Sequence, residues 1–283
     1  MKIPIVDYES NDAPARFFKS IKDTGFGVLT NTFVKKDLIN HVYEDWQRFF
    51  AQNLEAKMKF KFDPEVHDGY FPMKSETAKG AKVADLKEFA HYYPNRKTST
   101  IPVTMATSEL CLALEDLAME ILEWLEDHCP TIPPVGCGYR PSDWGEMVNQ
   151  SQNTLYRVIH YPPLPEDAGE AVRAAAHEDI NFLTLLPAAT GSGLQVMDKA
   201  GNWHAVGTDA NSIIVNVGDM LQLLTKGFYK STTHRVVNPA GEAANKPRFS
   251  MPLFLHPHAD TQLSPEKTAK QYLDERLREL GQK

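Results

Sequence analysis

From about Ser151 onward the chain is cut into short β-like runs by glycine and proline, and this punctuation limits the fold more than any other feature. The runs are Leu155–Tyr161, Phe182–Leu186, Gly193–Met197, Trp203–Val206, Ser212–Val217, Thr233–Val237 and Arg248–Leu255. Asp198-Lys199-Ala200-Gly201-Asn202 reads as a hairpin turn between two of them. Many short strands at close spacing predict an antiparallel sandwich or barrel.

Helical patterns surround that core. Phe17, Phe18 and Ile21 recur at helical spacing, and Leu38, Ile39, Val42, Trp46, Phe49 and Phe50 form an apolar stripe. Ile3–Asp7 and Gly25–Thr30 read as extended. A long helix is expected over Thr107–His128, capped by Thr107 or Ser108 and stopped by Pro130, Pro133 and Pro134. A last helix is expected after Ser264 as cap and Pro265 at its first position, with Tyr272, Leu273, Leu277 and Leu280 inward and Gly281 as its stop. The fold class is therefore mainly β with flanking helices (α+β). The chain divides into a helix-rich N-terminal domain (1–105), a buttressing helix and connection (106–150), the β core (151–262) and a C-terminal helix (263–283).

Composition narrows the function. Lys and Arg total 30 against 37 Asp and Glu, a formal charge of −7, so no basic surplus points to nucleic acid. No apolar run reaches the ~18 residues of a membrane span, and Met1–Asp7 lacks a secretory layout. Three cysteines, Cys111, Cys129 and Cys137, are too few for a disulfide framework. A cytoplasmic location is expected, with no nucleic-acid or membrane partner and an oligomeric state left open.

Two His-x-Asp pairs stand out, His177-Glu178-Asp179 and His258-Ala259-Asp260. In an extended chain residues i and i+2 share a face, so either pair could offer an imidazole and a carboxylate to one metal. His177 precedes a β run and His234 starts another, which adds a second imidazole. His258 and Asp260 lie past the last strand, in a Pro-rich loop, and read as surface residues. Two His and one carboxylate leave one side of an octahedral iron open, as O₂ chemistry requires; hydrogen-bonded core histidines are the plain alternative. Glu178 could replace Asp179, although a strand would turn it away. Arg248-Phe249-Ser250 puts a guanidinium and a hydroxyl on one face, a fork suited to a carboxylate; an edge salt bridge is its alternative.

At these residues the chain resembles the iron(II)- and 2-oxoglutarate-dependent oxygenases of the isopenicillin N synthase-like family. The likeness rests on Tyr161-Pro162-Pro163, His177-Glu178-Asp179, Leu183-Thr184-Leu185-Leu186, Gly193-Leu194-Gln195-Val196, Val217-Gly218-Asp219-Met220-Leu221, His234-Arg235-Val236 and Arg248-Phe249-Ser250, in that order. Ile3–Asp7, Gly25-Phe26-Gly27, Phe49-Phe50, Gly69-Tyr70 and Asp85-Leu86-Lys87-Glu88 resemble the same family's leading domain.

The resemblance implies a double-stranded β-helix (jelly roll) with His177, Asp179 and His234 as iron ligands. It also implies Arg248 and Ser250 on the distal carboxylate of 2-oxoglutarate, and Tyr161 against that co-substrate. Fe(II), 2-oxoglutarate and O₂ are then required. A small organic molecule or peptide would undergo hydroxylation, desaturation or cyclisation, with release of succinate and CO₂. Ile159 departs from the Asn of many relatives, and Leu164 from a frequent Cys. The stretch from His234 to Arg248 is long and reads as a turn around Asn238–Gly241. Other readings kept open are an isopenicillin N synthase-type oxidase that uses no 2-oxoglutarate, a zinc hydrolase and a non-catalytic module.

Overall fold

The structure is a computed structural model that describes residues 1–76, 84–130, 144–164, 172–207, 209 and 211–279. Pro133, Pro134, Cys137, Leu280 and Gly281 lie outside the described residues. Among the described residues a nine-stranded sheet runs in the order Ile5–Asp7, Phe26–Thr30, Ile213–Val217, Leu183–Pro187, Leu253–Leu255, Leu155–Tyr161, Glu88–Tyr92, Gly69–Phe71, with Arg248–Ser250 also on Leu155–Tyr161. A four-stranded sheet follows the order Ala174–His177, His234–Val236, Leu194–Met197, Trp203–Ala205. Strands from the N-terminal third therefore continue the large sheet at both ends.

The central strands Leu183–Pro187 and Ile213–Val217 are apolar apart from Thr184 and Asn216 because both of their faces are covered. Leu183, Leu185, Ile213, Val215 and Val217 point into the main core with the helices. Their alternate neighbours Leu186 and Ile214 join Phe26, Val28 and Val196 in a second cluster, which packs the small sheet on the large one. The helix layer comprises Ala13–Thr24, Lys36–Phe50 and Met105–Asp127. The long helix buries Leu110, Leu114, Leu117, Ile121, Leu122 and Leu125 along one stripe. Cys111 is buried there, and both it and Cys129 are free.

Several sequence expectations shift. The long helix is capped one turn early: Thr104 accepts from the Thr107 N–H at 3.2 Å. Ser264 and Pro265 do not open the last helix, because Gln262–Ser264 pairs with Lys267–Thr268 as a small hairpin. The helix is Ala269–Glu279, and Thr268 is its cap through a reciprocal capping box with Gln271 (3.3 and 2.8 Å). Arg248–Leu255 is two strands. Pro252 has no N–H to give, so the ladder breaks there, although the register from Arg248↔Tyr161 to Phe254↔Leu155 runs on unshifted. The turn after Asn238 is a 3₁₀ helix, Gly241–Asn245. His177 does not merely precede a strand; it ends one of its own, Ala174–His177.

Gly218 locks the loop that follows this strand. Its N–H donates to Phe182 O at 2.9 Å, and the next N–H, of Asp219, donates to Asp179 O at 2.7 Å. A Cβ on Gly218 would lie 2.2 Å from Asn181 O and 2.5 Å from Asn181 Oδ1. Gly218→Ala is therefore expected to cost about 1–3 kcal/mol through overpacking. Urea unfolding would show it as a lower midpoint at unchanged slope; an unshifted midpoint would mean the loop simply yields.

Candidate active site

His177 and His234 stand directly opposite each other on neighbouring antiparallel strands, which brings two residues far apart in sequence to one place. Their ring centres are 4.4 Å apart. Asp179 Oδ1 lies 3.8 Å from His177 Nε2 and 3.7 Å from His234 Nε2. One donor atom from each of the three falls within 4.8 Å of the others, a group able to hold a metal ion.

The surrounding bonds aim these atoms inward. His177 Nδ1 pairs with Ala175 O at 2.8 Å and His234 Nδ1 with Thr232 O at 3.1 Å. A carbonyl only accepts, so each Nδ1 carries a proton and each Nε2 is the ring nitrogen left facing Asp179. Asp179 Oδ2 is taken by Thr184 Oγ1 at 2.6 Å and Asn216 Nδ2 at 2.8 Å, leaving Oδ1 for the shared point. Burial alone would raise the Asp179 carboxyl, but the two imidazoles and these two hydrogen bonds outweigh it and hold it low. Desolvation, then repulsion from His234, pushes His177 down, although 42% of its side-chain surface stays exposed. Two imidazole nitrogens and one carboxylate oxygen are the donor set of a non-haem iron site. Glu178 turns outward, where Thr233 Oγ1 donates to it at 2.8 Å. His258 takes no part: its ring pairs with Asn149 O at 3.1 Å, and Asp260 is exposed.

A second group lies on the large sheet. Arg248 sits opposite Tyr161 and Ser250 opposite Ile159. Arg248 and Ser250 are both buried. The guanidinium donates through Nε to Gly191 O at 2.9 Å and lies 5.1 Å from the Tyr161 ring centre. Arg248 Nη1 is buried with no hydrogen-bond partner among the described residues. An unpaired buried cation of this kind is costly unless a ligand carboxylate completes it. Ile159, at the position of the relatives' Asn, packs instead with Phe89 and Tyr161.

Sequence reasoning missed Arg173. It is almost fully buried, its guanidinium is 5.8 Å from the same Tyr161 ring, and its Nε also lacks a partner among the described residues. Burial, then the nearby Arg248, lowers its pKa. The sequence offers only an arginine four residues before His177; its burial comes from the tertiary structure. Also missed was the cavity of about 800 Å³ that opens beside His177 and Asp179. Phe254 lines it, whereas Phe182 is core. His256 lines it too, pushed down to about 4 by burial.

Comparisons with known proteins place the chain in a family. Residues 149–257 match the model of the 2OG-Fe(II) oxygenase superfamily, and residues 3–107 match that of the non-haem dioxygenase in morphine synthesis N-terminal region. An oxygenase of Shewanella oneidensis of known structure is 43% identical, with a TM-score of 0.85 and 99% of both chains covered. A 2OG-Fe(II) oxygenase family protein of Caulobacter crescentus is 30% identical, with a TM-score of 0.81 and 98% of both chains covered. The 2-oxoglutarate-Fe(II) type oxidoreductase hxnY of Emericella nidulans is 27% identical over 292 residues, covering 91% of this chain and 80% of its own. No helix among the described residues is long and apolar enough to cross a membrane. With a jelly-roll core, a His-Asp-His group and matches along nearly its whole length, the chain belongs to the 2OG-Fe(II) oxygenase superfamily and is an Fe(II)- and 2-oxoglutarate-dependent dioxygenase.

Proposed function

We propose that His177, Asp179 and His234 hold the iron, that Arg248 and Ser250 hold the distal carboxylate of 2-oxoglutarate beside Tyr161, and that the prime substrate is a small organic molecule. The observation that carries this reading is the set of three inward lone-pair atoms within 4.8 Å, whose other polar atoms are already committed to Ala175, Thr232, Thr184 and Asn216. The unpartnered Nη1 of Arg248 supports the co-substrate half. When bound, iron and 2-oxoglutarate supply a two-electron oxidation of the substrate by O₂, with decarboxylation of the co-substrate to succinate.

The chain's own residues orient and enclose. Asp179 keeps one oxygen toward the metal because Thr184 and Asn216 occupy the other. Arg248 and Tyr161 set how deep the co-substrate sits. The cavity of about 800 Å³ is of the size that encloses a drug-sized molecule, and Phe71, Phe89 and Phe254 are among its lining residues. A folded macromolecule would not enter it.

Anaerobic titration with Fe(II) and 2-oxoglutarate tests the assignment. A weak visible charge-transfer band is expected, absent in His234→Ala and shifted to much higher 2-oxoglutarate in Arg248→Ala. A band of full strength in His234→Ala would refute the metal assignment. The partners of Asp179 should matter as well: Thr184→Val and Asn216→Ala are each expected to lower Fe(II) affinity about 10–100-fold. Competition against a metal-sensitive dye measures this, and unchanged affinity in both would mean that Asp179 needs no orienting.

A further inference from the structure

A third histidine is held in the same way as the two metal-facing ones. His256 Nδ1 donates to Phe254 O at 3.1 Å, two residues back, as His177 donates to Ala175 O and His234 to Thr232 O. Phe254 and His256 both line the cavity beside His177 and Asp179, while Leu255 between them joins the core, as alternation along an extended segment requires. Phe254 stands opposite Thr184, whose hydroxyl holds Asp179, so this segment runs beside the metal-facing carboxylate.

His256 is nevertheless no member of the metal group, which consists of His177, Asp179 and His234. Its Nε2 has no hydrogen-bond partner among the described residues. That nitrogen is not one of the atoms sealed from solvent, and the residue keeps 8% of its surface on the cavity wall. Burial outweighs the pull of Phe254 O and of the Asp179 carboxylate and pushes the imidazole down to about 4. A cation at the neighbouring metal group would act in the same direction. At neutral pH the ring is uncharged, with its hydrogen on Nδ1 and a lone pair on Nε2.

The charged side chains of the same wall are engaged with the protein itself. Lys87 lies 2.6 Å from Glu76 and 2.8 Å from Asp85, and Arg157 donates to His91 at 2.8 Å. Lys270 pairs with Asp274 at 2.7 Å and Arg276 with Glu279 at 2.8 Å. Arg96 donates to Gln152 O at 2.9 Å, and Asp219 accepts from the Tyr272 hydroxyl at 3.2 Å. His256 Nε2 differs from these groups: it is a neutral acceptor, open to the cavity, that no protein donor claims.

We propose that His256 orients the prime substrate, its Nε2 accepting a hydrogen bond from a hydroxyl or N–H of that molecule. The enzyme therefore selects substrates that carry such a donor over analogues in which it is methylated. The inference rests on the reading that the His177–Asp179–His234 group is the iron site of this cavity.

The test loads histidine-labelled protein with Zn(II) and 2-oxoglutarate, so that NMR reads the ring nitrogens without a paramagnetic ion, and titrates it with phenol and with anisole. His256→Gln identifies the His256 signals. The uncharged form with its hydrogen on Nδ1 is expected at neutral pH, and phenol should shift the Nε2 signal where anisole does not. Phenol should also bind about five- to tenfold more tightly than anisole, the margin of one net hydrogen bond. His256→Phe should bring the two probes within about twofold, and His256→Gln, which keeps an acceptor, should restore part of the preference. A protonated ring, a hydrogen on Nε2, an Nε2 signal that phenol moves no more than anisole, or equal affinity for the two probes would overturn the proposal. These readings use the unaltered protein, so a variant that fails to fold does not shelter it. Zn(II) should separately shift the Nε2 signals of His177 and His234; if it does not, the iron assignment fails, whatever His256 shows.

Discussion

Asp179→Ala is expected to abolish turnover and to weaken Fe(II) binding by more than 100-fold. The variant removes the one anionic donor of the proposed iron site, so the loss should exceed the 10–100-fold expected for a residue that only orients a ligand. It also leaves Thr184 Oγ1 and Asn216 Nδ2 without the oxygen they share at 2.6 and 2.8 Å. Metal content after anaerobic loading, together with substrate-free succinate production, measures the effect. Glu178→Ala is the control and should match the parent, because Glu178 faces outward to Thr233. Retained metal in Asp179→Ala with loss in Glu178→Ala would reassign the carboxylate ligand.

Arg248→Met is expected to raise the 2-oxoglutarate dissociation constant by thirtyfold or more. Truncating one partner of a buried, hydrogen-bonded charge pair costs about 2–5 kcal/mol, and 1.4 kcal/mol is a factor of ten. Met keeps much of the length of the buried stem, so the loss reports the guanidinium rather than a cavity. Fe(II) affinity should not move, since Arg248 belongs to the large sheet and the three metal-facing residues lie on or beside the small one. A dissociation constant within threefold of the parent would show that the neighbouring Arg173, on the same Tyr161 ring, carries the carboxylate instead.

How much was legible depended on where each residue's environment comes from. Lys36–Phe50 and Met105–Asp127 repeat their apolar residues every turn, so their faces could be read from spacing alone. Ala174–His177 could not: three alanines show no β preference, and only pairing with His234–Val236 makes the segment a strand. Glu88–Tyr92 was hidden similarly, since its charged residues become intelligible only when Lys57, Tyr70 and His160 stand on one side and the cavity on the other. Ser264-Pro265 carried a good local helix signal that lost to a hairpin, while Thr268 and Gln271, equally visible in the chain, formed the actual capping box.

The chemistry divides along the same line. Strand alternation puts Arg248 with Ser250, as their spacing predicts, whereas Asp179 lies in the loop after Ala174–His177 and reaches His177 through the bonds that hold that loop. Pairing these with His234 and Tyr161 and committing Asp179 Oδ2 to Thr184 and Asn216 were decided by tertiary structure alone. Hydrogen-bond satisfaction and burial depend on neighbours that are distant along the chain, and no local pattern encodes them.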